Sequence, residues 1–468
     1  MRKNSVYFLL ILLFSGFFIS TLQARIKMPG IFSDNMMLQR DTIVKIWGWS
    51  NASRDIMLST SWNQKKYSSR ADFSGRWELK IATPKEPGPF SITISDGEPV
   101  IIKNVLIGEV WICSGQSNME MSFSGVAGPV DGALDAVVKS KSNKIRLFTL
   151  KHVAKIIPQE DCEGIWVEAT PESVYNFSAA GYFFGRLVND VTGLPVGLIH
   201  TSWGGSKIEA WMSPASLEGT NKPLPVEGVD MKMPMWVPAA LYNGMINPII
   251  GYGIRGVLWY QGESNQDEPN EYALLFKRMI KDWRELWDQG EFPFYYVQIA
   301  PFRYGGNSAF LREVQLKAED SIPNIAMVVN MDANSPDNIH PSSKKQVGER
   351  LACLALSKTY GIKGFPCSSP VYRSMKTRGS NVELEFDLKG SFGIFANVSQ
   401  IKGFKIAGQD KRFHDAFAYI SGNRIFVSSP QVEIPVAVRF AFDNTSASEI
   451  FNMEGLPVSS FRTDNWEK

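Results

Sequence analysis

Cysteine and histidine are scarce in this chain of 468 residues, with four of each. Cys113, Cys162, Cys353 and Cys367 match no zinc-ligand spacing, so no metal is expected. Their even number permits disulfides in three full pairings, although Cys113 lies in an apolar strand pattern and is expected to be a buried free thiol. Neither sign of charge is in excess. Beyond residue 24, 47 basic residues face 47 acidic ones and no basic stripe appears, which argues against a nucleic-acid partner and makes a neutral or weakly charged substrate the default. Long repeats, low-complexity tracts and disordered linkers are also lacking. The apolar run over 6–19 follows Arg2 and Lys3, precedes the small residue Ala24, and falls short of the ~20 residues a membrane span requires. It reads as a secretory signal over 1–24. The expectation is export, periplasmic or released, with no stable membrane insertion after cleavage.

What remains is long enough for two or three domains at ~100–200 residues each. Over 25–105, short alternating runs at 42–49, 56–62, 77–81 and 90–94 are broken by turns such as Asp72-Phe73-Ser74-Gly75, the pattern of an antiparallel β-domain. Over 106–362 the period changes. Strand-like runs at 110–113, 145–150, 196–200, 256–259, 294–299 and 326–331 alternate with helical patterns at 179–191, 272–287, 309–320 and 342–360. That alternation predicts an α/β domain with a mostly parallel sheet and helices on both faces. Over 363–468 short strands return, predicting a C-terminal β-module packed on the body.

In a sheet of this kind ligands bind beyond the carboxyl ends of the strands, and chemistry-bearing blocks gather there in the sequence. The run 111–119 ends a strand in Ser114-Gly115-Gln116-Ser117-Asn118, a turn able to present the Ser117 hydroxyl as a nucleophile. A neutral serine needs a base, an orienting acid and an oxyanion site. His340 in Asp337-Asn338-Ile339-His340-Pro341 is the candidate base. Asp337 is the candidate acid, with Asp332 as the alternative carboxylate. The Ser117 backbone N–H, Gly204 or Gly205 of Trp203-Gly204-Gly205-Ser206, and the Gln261 amide of Trp259-Tyr260-Gln261-Gly262-Glu263-Ser264-Asn265 are candidate oxyanion donors. Asn118 and Glu263 are candidate supports. Arg255, Arg303 and Arg312 are candidates to meet a substrate carboxylate, and Trp203, Trp211, Trp259 and Tyr260 to stack on a sugar, with most of these aromatics expected in the core. The methionine-rich stretch 231–237 is a candidate pocket lining.

These blocks stand in the order seen in SGNH hydrolases. The phrases 31–40, 108–111 joined to the serine turn, 241–246, 259–265, Gly455-Leu456-Pro457 and Phe461-Arg462-Thr463-Asp464 resemble the sialate O-acetylesterase family of carbohydrate esterases. The resemblance implies an SGNH-type three-layer αβα domain flanked by N- and C-terminal β-modules. It also implies a secreted serine esterase, needing no cofactor, that removes O-acetyl groups from sialic acids through an acetyl-enzyme. Acetylated xylan or hemicellulose is the competing substrate, and a non-catalytic glycan-binding protein is the reading from a different class. Oligomeric state is left open.

Overall fold

The computed structural model describes residues 26–333 and 336–466. The expected signal segment lies outside the described residues. The chain opens with β1 (Met37–Gln39), β2 (Ile43–Trp49), β3 (Asp55–Thr60), β4 (Lys66–Arg70), β5 (Arg76–Ala82) and β6 (Phe90–Ser95). The following strand, β7 (Pro99–Gly115), is 17 residues long. Its first half pairs antiparallel with β6, Phe90 facing Val105, and its second half pairs parallel with the central strands, so the expected boundary at 105 falls inside one continuous strand.

The central sheet adds β8 (Ser142–Thr149), β9 (Trp166–Ala169), β10 (Val196–Ser202), β11 (Gly256–Tyr260), β12 (Phe294–Val297) and β13 (Ile325–Val328). Their order is β13-β12-β11-β7-β10-β8-β9, and all neighbours are parallel except β8 and β9. Side chains alternate across a strand, so successive residues serve opposite cores. Trp111, Cys113, Leu198, Leu258 and Tyr260 enter one cluster with Phe183, Phe184 and Val188 of helix Ala179–Thr192 and with Val347 and Leu351 of helix Lys344–Leu354. Ile112, Ile199, Val257 and Trp259 enter the other with Phe276, Met279, Ile280 and Trp283 of helix Pro269–Trp287. The near-continuous apolar reading of β7, β10 and β11 follows from this burial on both faces.

Helix Ala179–Thr192 starts where Ser178 accepts the Gly181 N–H and stops at Gly193, φ +70°. The helix expected over 342–360 is α-helical only over Lys344–Leu354 and widens into a π-turn over Ala355–Thr359. Beyond it lie short antiparallel strands, among them Asn381–Asp387, Arg424–Ser428 and Ala437–Phe440. They pack on the body: Gln298 Nε2 donates to Ser459 Oγ at 2.8 Å, and Arg462 pairs with Glu313 at 2.8 Å. Phe404, Phe440 and Phe461 continue the core that lies on the Trp259 side of the sheet. All four cysteines are free thiols, with Cys113 and Cys162 buried. Among the described residues no helix is long and apolar enough to cross a membrane.

Candidate active site

β7 ends at Gly115, where φ is +133° and an added Cβ would lie 2.2 Å from the Tyr260 carbonyl, so only glycine fits the turn. The chain then makes a single helical turn, Ser117–Glu120. Gln116 pins it to the β11 exit: its N–H donates to Tyr260 O, and its side-chain oxygen accepts the N–H groups of Gly262 and Ser264. Ser117, half-buried, thus stands between the exits of β10 and β11. Its Oγ lies 2.8 Å from His340 Nε2.

A buried polar network fixes that geometry. Asn118 Nδ2 donates to Glu263 Oε1 at 2.6 Å and to the Ile339 carbonyl at 3.0 Å, while its Oδ1 accepts from Lys344 Nζ at 2.8 Å. Lys344 also donates to Pro341 O at 2.7 Å. One asparagine therefore ties the serine turn to the histidine loop and the 262–265 turn. Burial pushes Lys344 down to about 7 against the opposing charges of Glu263 and Asp131. Burial likewise raises the Glu263 carboxyl, with Asn118 and Lys344 acting the other way. Burial and then the Lys344 charge lower His340, while Glu120 opposes them. A lowered imidazole is neutral at pH 7 and free to accept the serine proton.

The candidate acid does not meet the imidazole in this structure. Asp337 is exposed and ion-paired with Arg303, 2.5 Å from Oδ1 to Nε, and among the described residues it makes no hydrogen bond to His340. Asp332 is bound by Arg350 and Gln346. The nearest support to His340 on its own loop is Asn338, whose Oδ1 accepts the His340 backbone N–H at 2.9 Å.

Gln261 also departs from expectation. Its side chain is fully buried and its amide donates to Ser206 O at 3.0 Å and Asn265 Oδ1 at 2.8 Å, so both N–H bonds are spent holding the turn. Asn265 passes the chain on to Ile208 N–H and Glu209. Arg255 is held by Glu109, a residue in the middle of β7 and several residues before its serine end. Arg312 is fully buried on Ser308, Ser460, Ala441 O and Asp443 O. Neither is placed to meet a substrate. Trp211, Trp259 and Tyr260 are core, while Trp203 is half-buried beside the serine. From the 231–237 stretch, Trp236 is exposed and donates its indole N–H to Gly205 O at 2.9 Å.

Gly204 lies against the serine: a Cβ placed there would be 3.5 Å from Ser117 Cβ. Its N–H donates to Glu120 Oε2 at 2.5 Å, while Gly205 is exposed. Glu120 also pairs with His152 Nε2 at 3.1 Å, and the His152 ring stacks on Trp203 at 4.4 Å. The hydrogen bond that His152 donates to Glu120 raises His152, against burial. Burial works to raise Glu120, but His152, the His200 charge and the Gly204 N–H together outweigh it and the carboxyl is lowered. Sequence reasoning passed over Glu120, His152 and Lys344. Glu120 stands three residues after Ser117 on one helical turn, the helical-neighbour signal that offered it, whereas Lys344 opens the helix that follows the His340 loop and carries no such signal. His152 carries no local signal.

Comparison with known proteins adds the family. The model of the carbohydrate esterase, sialic acid-specific acetylesterase family matches residues 107–357. The chain is 28% identical over 388 residues to the sialate O-acetylesterase of Homo sapiens, covering 74% of this chain and 73% of that one. It is 27% identical over 417 residues to that of Mus musculus, covering 75% and 76%. A crystal structure of a carbohydrate acetylesterase from Xanthomonas citri superposes with a TM-score of 0.86 at 35% identity, over 94% of this chain and 100% of that one. The chain belongs to the sialic acid-specific acetylesterase family of carbohydrate esterases and is an ester hydrolase.

Proposed function

We propose that this protein is an exported carbohydrate O-acetylesterase of SGNH type that works by double displacement at Ser117. The observation that carries the reading is the 2.8 Å approach of a neutral His340 to the Ser117 hydroxyl at the carboxyl end of a parallel sheet. Ser117 Oγ attacks the acetyl carbonyl as His340 Nε2 takes its proton. The tetrahedral oxyanion forms beside the Ser117 N–H, which has no acceptor among the described residues, and beside Gly204. Collapse expels the sugar oxygen, which takes the proton from His340 and leaves as an alcohol. Water then attacks the acetyl-enzyme, giving a proton to the same imidazole, which returns it to Ser117 Oγ as the acyl bond breaks and acetate departs. The Asn118 and Lys344 bonds to the histidine loop hold the imidazole within reach during both halves.

O-Acetylated sialic acid is the first substrate reading, because the human and mouse relatives bear the name sialate O-acetylesterase. Acetylated neutral polysaccharide such as xylan gains support from the placement of Arg255 and Arg312 away from the serine. Acetate release from both substrates, by the wild type and by Ser117→Ala, tests the proposal. Serine-dependent release supports it and ranks the substrates by rate. A folded protein with no serine-dependent release from any acetyl ester would defeat it.

A further inference from the structure

Glu120 occupies a position that a serine esterase should find inconvenient. Its Oε2 accepts the Gly204 N–H, and that glycine lies against Ser117. A carboxylate and a developing oxyanion cannot share one donor, because two like charges at hydrogen-bond distance repel strongly where water is excluded. The N–H must therefore be released before it can serve the reaction. Glu120 need not leave the site to do so, because its Oε1 is held independently by His152, itself stacked on Trp203. Both side chains remain partly open to solvent, at 31% for Glu120 and 40% for His152.

A carboxylate only accepts hydrogen bonds, and the groups a sugar offers around its ester are hydroxyl donors. We propose that Glu120, steadied by His152 against the Trp203 ring, is the sugar-reading group of this site: its Oε2 exchanges the Gly204 N–H for a hydroxyl of the acetylated sugar, and the freed N–H turns to the acyl oxygen. The assignment rests on the esterase reading given above and deepens it. Recognition of the sugar then completes the oxyanion site, so an acetyl ester lacking that hydroxyl reacts at an incomplete one. The same negative charge weighs against a sugar carboxylate near the acetyl group, and so favours the neutral polysaccharide over the sialic acid ester of the two substrates named above. Arg303 does not offset it, being already paired with Asp337.

The test is steady-state kinetics of the mature protein, Glu120→Ala and the isosteric Glu120→Gln on 4-nitrophenyl acetate, acetylated xylo-oligosaccharide and O-acetylated sialic acid. Glu120→Ala is expected to lower the ratio of kcat/KM for the xylo-oligosaccharide to that for 4-nitrophenyl acetate at least tenfold, largely through KM. Glu120→Gln, which keeps an acceptor and loses the charge, is expected to recover part of that ratio. It should also favour the sialic acid ester over the neutral glycan at least fivefold more than wild type does. If Glu120→Ala slows both esters in step, Glu120 merely holds the 203–206 turn and the assignment is overturned. An unchanged sialic acid preference in Glu120→Gln overturns it equally. A folded wild type inert on all three esters would sink the serine mechanism itself, and this assignment with it.

Discussion

Ser117 Oγ and His340 Nε2 stand 2.8 Å apart although 223 positions separate them in the chain. Such a pair acts as a unit, so removing either member removes most of what both contribute. Ser117→Ala, His340→Ala and the double variant should each lose about 10³-fold or more in kcat, with the double no worse than the singles. Additive losses in acetate-release assays would show that the two residues act separately.

Asp337 should matter little. With its carboxylate exposed on Arg303, Asp337→Asn is expected to cost less than about tenfold in kcat. A loss near 10⁴-fold, the size seen when a triad acid is neutralised, would restore Asp337 as the orienting group.

The pH dependence of kcat/KM has a definite sign. Burial and Lys344 lower His340, so the acid limb should fall below the ordinary histidine value of 6.5. Lys344→Met removes a cation that lowers it and should move the limb upward. Glu120→Gln removes an anion that raises it and should move the limb downward. Shifts in the same direction for both variants would contradict this electrostatic account.

Gln261→Ala should act chiefly on stability. Its amide bonds to Ser206 O and Asn265 are buried, and leaving those partners unpaired costs about 1–3 kcal/mol. Urea unfolding should detect this, while activity per folded molecule falls by less than about tenfold, against the 10²–10³-fold loss typical of an oxyanion donor. A kcat loss in that higher range without destabilisation would return Gln261 to the oxyanion site.

His200 gives the fold an acid sensitivity. Burial pushes it down to about 4, and its ring meets Ser202 Oγ at 2.5 Å and packs edge-on with the Phe177 ring. Its folded value lies below the unfolded value near 6.5, so the unfolded chain binds the proton first. The stability it confers is complete above pH 6.5, declines as pH falls toward 4 and levels off below. The change is about 3 kcal/mol by linkage. His200→Gln should flatten the urea-stability profile across that window, and an unflattened profile would place the acid-labile group elsewhere.

The sequence by itself determined the alternation of apolar runs that makes a mostly parallel sheet, the glycine turn that delivers Ser117 from β7, and the short list from which His340 came. These are local properties: a strand period, a positive φ that only glycine tolerates, a residue at a strand end. It also bounded the helices at 179–191 and 272–287 to within a few residues of Ala179–Thr192 and Pro269–Trp287, because one-sided apolar spacing is strong in both. Only the tertiary structure decided which polar group meets which. Asp337 and Gln261 lay at the right places in the sequence, yet one turned to Arg303 and the other to Ser206 and Asn265. Asn118, Glu263 and Lys344 converge from three separate segments, and His152 reaches Glu120 from a fourth. Hydrogen bonds distinguish partners over fractions of an ångström, and that precision comes from packing between distant segments rather than from any period along the chain.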